Sequence, residues 1–285
     1  MDKKELTALL CEQFDKCETN SFKALGHAEE RIWEKPMIGF AAGDDPLFQF
    51  FKDDIGEFYM TPAEIFMTKY PGADVRNEDL TVISLGFSQT AGTKKDQAAQ
   101  KEEPCMRWMF SRNTWKMVTN ELYSHLSEAL AAQGMRFAIP DQAPQMKIRR
   151  SAKYGLASTW SQRHTAFAAG LGTFSLSEGL ITRLGVAMRF ASVVIEGKFE
   201  PDKREYAKHQ EWCLFYKDGS CGVCARRCPA DAITKDGHDK DKCDAYLTKM
   251  DEKHLKNTVF DPNVEVGCGL CQSGVPCADR MPAKM

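Results

Sequence analysis

Three cysteines within eight residues, Cys221, Cys224 and Cys228, lead directly into Pro229-Ala230-Asp231-Ala232-Ile233. Eight of the chain's eleven cysteines fall between Cys213 and Cys277, in the order Cys213-x7-Cys221-x2-Cys224-x3-Cys228-Pro, then Cys243, then Cys268-x2-Cys271-x5-Cys277. Thiols grouped this densely beside a long stretch with few cysteines point to metal rather than to disulfides, which belong to oxidising compartments. Two readings of the metal follow from spacing. Paired Cys-x2-Cys units suit tetrahedral zinc. A run ending in Cys-Pro suits iron–sulfur clusters, and eight thiolates are the number two [4Fe–4S] clusters need.

The iron–sulfur reading explains more of the pattern. A bacterial two-cluster ferredoxin uses Cys-x2-Cys-x2-Cys-x3-Cys-Pro, with the fourth cysteine reaching the other cluster. Here the Cys-x2-Cys-x3-Cys-Pro half is intact, and the first cysteine is displaced upstream to Cys213 by Leu214–Gly219. Following the crossed arrangement, Cys213, Cys221, Cys224 and Cys277 are assigned to one cluster and Cys228, Cys243, Cys268 and Cys271 to the other. Zinc accounts for neither Cys-Pro nor the total of eight. Such clusters carry single electrons, and the module contains no evident substrate-reacting group. The preceding two hundred residues are therefore expected to supply whatever receives the electrons.

Those residues alternate between strand and helix patterns. Lys35–Ala42, Leu80–Phe87 and, more briefly, Met135–Asp141 read as strands, and so does Met188–Gly197. Met1–Phe14 reads as an amphipathic helix, and Thr61-Pro62-Ala63-Glu64 is a helix start with a capping box. A helix beginning near Arg107 carries apolar residues at Trp108, Trp115, Val118, Leu122, Leu126 and Leu130 and stops at Gly134. Gly92–Glu103 is polar without apolar periodicity and reads as a surface loop. The order predicts an α/β (α+β) layer fold. It divides into 1–70 (an N-terminal extension), 71–205 (the cofactor domain) and 206–285 (the double-cluster module), with a charged connector from Glu200 to Gln210.

Composition narrows the function classes. Thirty-eight Lys and Arg against 40 Asp and Glu leave a net charge of -2, which gives no basic face for nucleic acid. No apolar run of about 18 residues predicts a membrane span. The first residues lack the apolar stretch of a secretory signal, so a cytoplasmic location is expected.

Four segments together resemble epoxyqueuosine reductases and their reductive-dehalogenase relatives. Arg163–Thr182, RHTAFAAGLGTFSLSEGLIT, is similar to that family's Arg-x-x-Ala-x-x-Ala-Gly-Leu-Gly segment. Leu80–Phe87 resembles its early strand, Lys242–Met250 its Cys-x-x-Tyr-Leu-Thr segment, and the cysteine module its C-terminal part. The likeness covers roughly residues 70 to 285. It implies a cobalamin-binding domain of nitroreductase-like fold, followed by a ferredoxin-like module with two clusters that feed electrons to cobalt. Two positions depart from the family: its proton-donating aspartate falls at Leu156, and its Gly-Lys-Asn becomes Ser175-Leu176-Ser177.

On this basis Ser158, Arg163, Ala169, Gly170, Leu171, Gly172, Thr173, Met188 and Arg189 are candidates for holding a cofactor. The small residues would let backbone approach a flat macrocycle; the plainer reading is a tight helix–strand turn. His164 and Tyr154 are the candidate proton donors, although a lone histidine often only caps a neighbouring carbonyl. The expected function is an iron–sulfur reductase passing electrons to cobalamin or to a directly bound small molecule. The alternative is an electron-transfer protein that reduces the cofactor of a partner, such as a corrinoid protein. Either role implies a donor such as ferredoxin or flavodoxin. Cys11, Cys17 and Cys105 read as ordinary thiols.

Overall fold

The computed structural model describes residues 1–282, so the last three positions of the expected C-terminal module lie outside the described residues. Helix α1 (Lys3–Asp15) starts with a full capping box, in which the Asp2 carboxylate accepts from the Glu5 N–H and the Glu5 side chain accepts from the Asp2 N–H. Strand β1 (Met37–Ala42) follows, then α2 (Pro46–Ile55) and α3 (Pro62–Lys69). The capping box expected at Thr61 and Glu64 is present. Strand β2 (Leu80–Ser88) leads into α4 (Ala91–Ala98), α5 (Met106–Asn113), α6 (Trp115–Ala132) and the two-residue strand β3 (Phe137–Ala138). An exposed hairpin, β4 (Ile148–Ser151) and β5 (Gly155–Ser158), precedes α7 (Gln162–Ala168). A small pair, β6 (Gly172–Phe174) and β7 (Leu180–Thr182), leads to the long strand β8 (Met188–Glu196). The cysteine-rich part adds α8 (Leu214–Asp218), α9 (Val223–Arg226), β9 (Ile233–Thr234), β10 (Gly237–His238) and α10 (Lys240–His254).

One four-stranded sheet, in the order β1-β2-β8-β3, organises the first two hundred residues, and every pairing in it is antiparallel. Both faces are covered. Ile83, Leu85, Phe87, Ala191, Val193 and Ile195 face the core built with α1, α5 and α6. Leu80, Val82, Phe190 and Val194 face the second core, built with α2, α3 and α7. Burial on both faces explains why β2 and β8 read as continuous apolar runs, a pattern shared with parallel sheets. Residues 1–70 enter the same layers, since β1 is an edge strand of this sheet.

Two local expectations are corrected. The first part of the segment expected as a loop is helix α4, ending at Ala98, and residues 99–103 are non-helical: the Thr90 hydroxyl accepts from the Thr93 N–H and caps α4. Its buried face is polar, which hid it from hydrophobic periodicity. Gln97 is fully buried, donating from Nε2 to the Cys268 carbonyl at 2.8 Å and accepting from the Cys105 N–H at 2.8 Å. The second correction is a break at Thr114, which divides the single helix expected near Arg107 into α5 and α6. The Thr114 hydroxyl donates back to the Phe110 carbonyl at 2.7 Å, a contact that competes with regular helix.

Replacing Gln97 by Ala strands a buried carbonyl and a buried N–H on two different elements, and should cost about 2 kcal/mol of stability. Anaerobic urea denaturation checks this; an unchanged midpoint would mean that α4 is held by something else.

Candidate functional site

A cavity of about 500 Å³ lies between the antiparallel sheet and the cysteine-rich part. Cys228, Cys243, Cys268 and Cys271 lie on its wall. The other four, Cys213, Cys221, Cys224 and Cys277, line a separate, smaller pocket. The two sets match the two groups assigned from the sequence. Local structure explains how each residue gets there. Cys228 ends the turn after α9, and its sulfur accepts from the Ala232 N–H at 3.3 Å. Asp239 caps α10 by accepting from Lys242, which puts Cys243 in the first turns of that helix. Cys268 and Cys271 flank Gly269, whose φ of +66° and position against the Trp108 ring leave no room for a side chain. Cys277 is tied to the approach to β8, where its carbonyl accepts from the Val186 N–H at 2.7 Å.

All eight thiols are unpaired by disulfides. Burial pushes Cys268 up to about 12, with Cys243 and Cys228 adding to the rise and the Leu270 N–H working against it. Burial, then the neighbouring Cys213, Cys224 and Cys221, pushes Cys277 up to about 12. Cys271 is raised by burial and then by Cys268, Cys224, Cys243 and Cys228, so the two sets come close at this residue. Thiols in such surroundings lose their protons only when a cationic centre binds and displaces them into solvent. Among the described residues no three Cys, His, Asp or Glu side chains close on a single-ion site.

The opposite wall comes from the sheet layer. Trp108 and Arg112 project from α5, Trp115 from the start of α6, and Met188, Arg189 and Phe190 from β8. Trp33 and Trp160, both fully buried, complete it, so four of the five tryptophans in the chain border this one cavity. Asp141 is the wall's carboxylate. Tyr123 donates to it at 2.5 Å and Gln162 at 2.8 Å. Burial, then that carboxylate, holds the Tyr123 hydroxyl well above its usual range. Arg112 pairs with Glu265, and Arg163 donates to the Glu178 carbonyl at 2.5 Å. Arg189 lies over the Trp115 ring, 5.3 Å from its centre. Burial first, then the like charges of Arg112 and Arg163, push Arg189 well below the usual guanidinium range, while Asp141 works the other way.

The candidate residues divide by position. Ser158, Arg163, Met188 and Arg189 stand on the cavity wall. Ala169, Gly170, Leu171, Gly172 and Thr173 stand away from it, in the turn from α7 to β6. A Cβ on Gly172 would meet the Ile181 carbonyl at 2.0 Å, so that glycine admits a neighbouring strand. The Thr173 hydroxyl accepts from the Trp212 N–H. Beside Gly172 the space is taken by the Ile181 backbone. His164 is enclosed by Phe51 and Phe174, with Nδ1 2.7 Å from the Ser161 hydroxyl. Tyr154 lies on the exposed hairpin and donates to Asp54 at 2.5 Å. Neither lines the cavity. Asp141, Gln89, Gln162 and Trp33 went unnoticed in the sequence, because each is an isolated polar or aromatic residue with no motif around it.

No family model matches the chain. It is 26% identical over 179 residues to an epoxyqueuosine reductase of Staphylococcus aureus, taking in 60% of this chain and 41% of that protein. It is 26% identical over 159 residues to one of Leadbetterella byssophila, taking in 54% of this chain and 44% of that protein. The chain thus matches less than half the length of these curated relatives. Among solved structures it resembles epoxyqueuosine reductase from Streptococcus thermophilus, with a TM-score of 0.54 at 14% identity over all of this chain and 69% of that one. It also resembles a reductive dehalogenase described as B12-dependent, with a TM-score of 0.52 at 13% identity over 87% of this chain and 30% of that one. The likeness to epoxyqueuosine reductases is therefore present in sequence and in fold, and that to reductive dehalogenases in fold.

Burial, then the nearby Arg163 charge, lowers His164 from 6.5 to about 3. The folded chain keeps this ring neutral, whereas the unfolded chain takes up a proton below about pH 6.5. Stability from this group is therefore lost as pH falls from 6.5 toward 3, by about 2 kcal/mol at pH 5. His164→Gln should lack that part of the pH dependence in anaerobic denaturation at pH 7 and pH 5. Identical pH dependence in the two proteins would place the titration elsewhere.

Proposed function

We propose that the protein is an iron–sulfur reductase in which two [4Fe–4S] clusters deliver electrons to a small molecule held in the cavity. The observation that carries this reading is the shared wall: Cys228, Cys243, Cys268 and Cys271 border the same space as Asp141, Ser158 and Arg189. When bound, such clusters supply single electrons at potentials set by hydrogen bonds, burial and charge. Thiols set around a volume rather than a point suit a cubane, whose thiolates stand farther apart than those on one zinc ion. The Ala232 N–H on the Cys228 sulfur is the kind of hydrogen bond that tunes such a centre.

The remaining wall prepares the substrate. Trp108 and Trp115 exclude water and offer flat apolar surface. Reduction of a bound molecule also requires protons, and Asp141 is a carboxyl on the wall whose orientation is fixed by Tyr123 and Gln162. The likeness to reductases and reductive dehalogenases supports the reaction class. A cavity walled by one cysteine set favours reduction within this chain over service as an electron carrier for a partner, which needs no enclosed space. Among the described residues no helix is long and apolar enough to cross a membrane. We place the reaction in the cytoplasm, with a ferredoxin or flavodoxin as donor.

Anaerobic purification with metal and sulfide analysis tests the reading. About eight iron and eight sulfide per chain are expected, with visible bleaching on dithionite. Cys271→Ser and Cys277→Ser should each disrupt a different cluster and lower iron by up to about four atoms. Zinc in place of iron, or the loss of the same iron in both variants, would sink the assignment.

A further inference from the structure

Buried polar atoms in folded proteins almost always have partners, so those that lack one point to something missing. Among the described residues six buried side-chain nitrogen or oxygen atoms have no hydrogen-bond partner. Four of them, Trp33 Nε1, Gln89 Oε1, Gln162 Oε1 and His238 Nδ1, belong to residues on the wall of this one cavity. For His238 the nearest oppositely charged group is the Glu178 carboxylate at 3.5 Å. Trp33 is fully buried, and its N–H requires an acceptor.

Outside its four cysteines, which carry negative charge once a cluster is bound, the wall holds three guanidinium groups, Arg112, Arg163 and Arg189, and one carboxylate, Asp141. Arg112 is matched by Glu265, and Arg163 by a backbone carbonyl. Arg189 has neither a hydrogen bond nor an ion pair among the described residues; its close contact is the Trp115 ring. A half-buried guanidinium with no hydrogen bond to the chain presents its N–H groups to the cavity. Held over an indole, it keeps donors for a two-point grip on an oxyanion.

We propose that the ligand of this cavity binds through an oxyanion, a carboxylate or a phosphate, gripped by Arg189 beside Trp115. The proposal rests on the cavity being the site of reduction and names the class of molecule it takes. The anionic group anchors the molecule at β8, in the space that Cys228, Cys243, Cys268 and Cys271 also border.

The test uses the full chain, purified anaerobically with its clusters, and isothermal titration calorimetry with benzoate, inorganic phosphate and neutral benzamide. Saturable binding of benzoate or phosphate is expected, with benzamide at least roughly tenfold weaker. The stronger of the two anions distinguishes a carboxylate from a phosphate ligand. Arg189→Gln should weaken anion binding by roughly tenfold or more, and Arg189→Lys should restore part of it. An unchanged cluster spectrum in both variants shows that they are folded. Absence of saturable binding by both anions, equal binding of benzamide and benzoate, or unaltered affinity in Arg189→Gln would overturn the proposal. These results are separable from the cluster reading: an iron-replete protein that ignores anions defeats this proposal alone, and a protein without iron defeats the reading beneath it.

Discussion

Cys268 and Cys271 resist ionisation, because burial and then the neighbouring thiols disfavour their charged forms. Holding them together is the constraint on which the other features depend. The holding groups come largely from outside the cysteine-rich part. Gln97 of α4 takes the Cys268 carbonyl. Arg227, next to Cys228, donates to the Leu270 carbonyl between Cys268 and Cys271, and to the Gln100 carbonyl beyond α4. The Val186 N–H, just ahead of β8, takes the Cys277 carbonyl. The sheet layer and the cysteine-rich part are thus joined through backbone carbonyls beside the cysteines themselves. A shift in either part is felt at the sulfur atoms.

The antiparallel sheet is the rigid reference for the other wall. Strand β8 pairs with β2 along its whole length, and its first residues, Met188 to Phe190, face the cavity. The Trp160 N–H donates to the buried Ser192 hydroxyl on the same strand, so a second wall residue is tied to β8. Packing Trp33 edge-on against Trp115 at 5.0 Å orients the ring on which Arg189 lies. The guanidinium is therefore placed by aromatic contacts and a strand rather than by a neighbouring carboxylate. That arrangement leaves its hydrogen-bonding edge for something the chain does not supply.

The grouping of the cysteines around two cavities was legible because their spacing is local in sequence and short turns carry its geometry. The principal strands were legible because Leu80–Ser88 and Met188–Glu196 are apolar at most positions. Direction was not, since burial on both faces erases the alternation that marks an antiparallel strand. Helix α4 was hidden because Thr93 and Gln97 fill its buried side with polar groups satisfied by distant backbone. The cavity's far wall was illegible for a deeper reason. Trp33, Gln89, Asp141 and Arg189 come from four separate segments, and only the tertiary fold brings them to one space.

The departures from the related family acquire a physical meaning in this setting. Leu156, where that family has an aspartate, lies in the β4–β5 hairpin, and its carbonyl accepts from Lys240 Nζ at 2.9 Å. Lys240 also reaches the Tyr154 carbonyl, and Arg150 pairs with Asp241. The surface ion pair adds little by itself. The lysine bonds to hairpin carbonyls are more specific, and they fasten the hairpin to the first turn of α10, the helix that carries Cys243. Ser177, the last residue of the Ser175-Leu176-Ser177 departure, lies on the cavity wall with its hydroxyl 2.9 Å from that of Ser175. A hairpin fastened in this way holds Ser158 at the cavity edge instead of bringing an acid to it. The acid on the wall is Asp141, on a different segment and oriented by two donors.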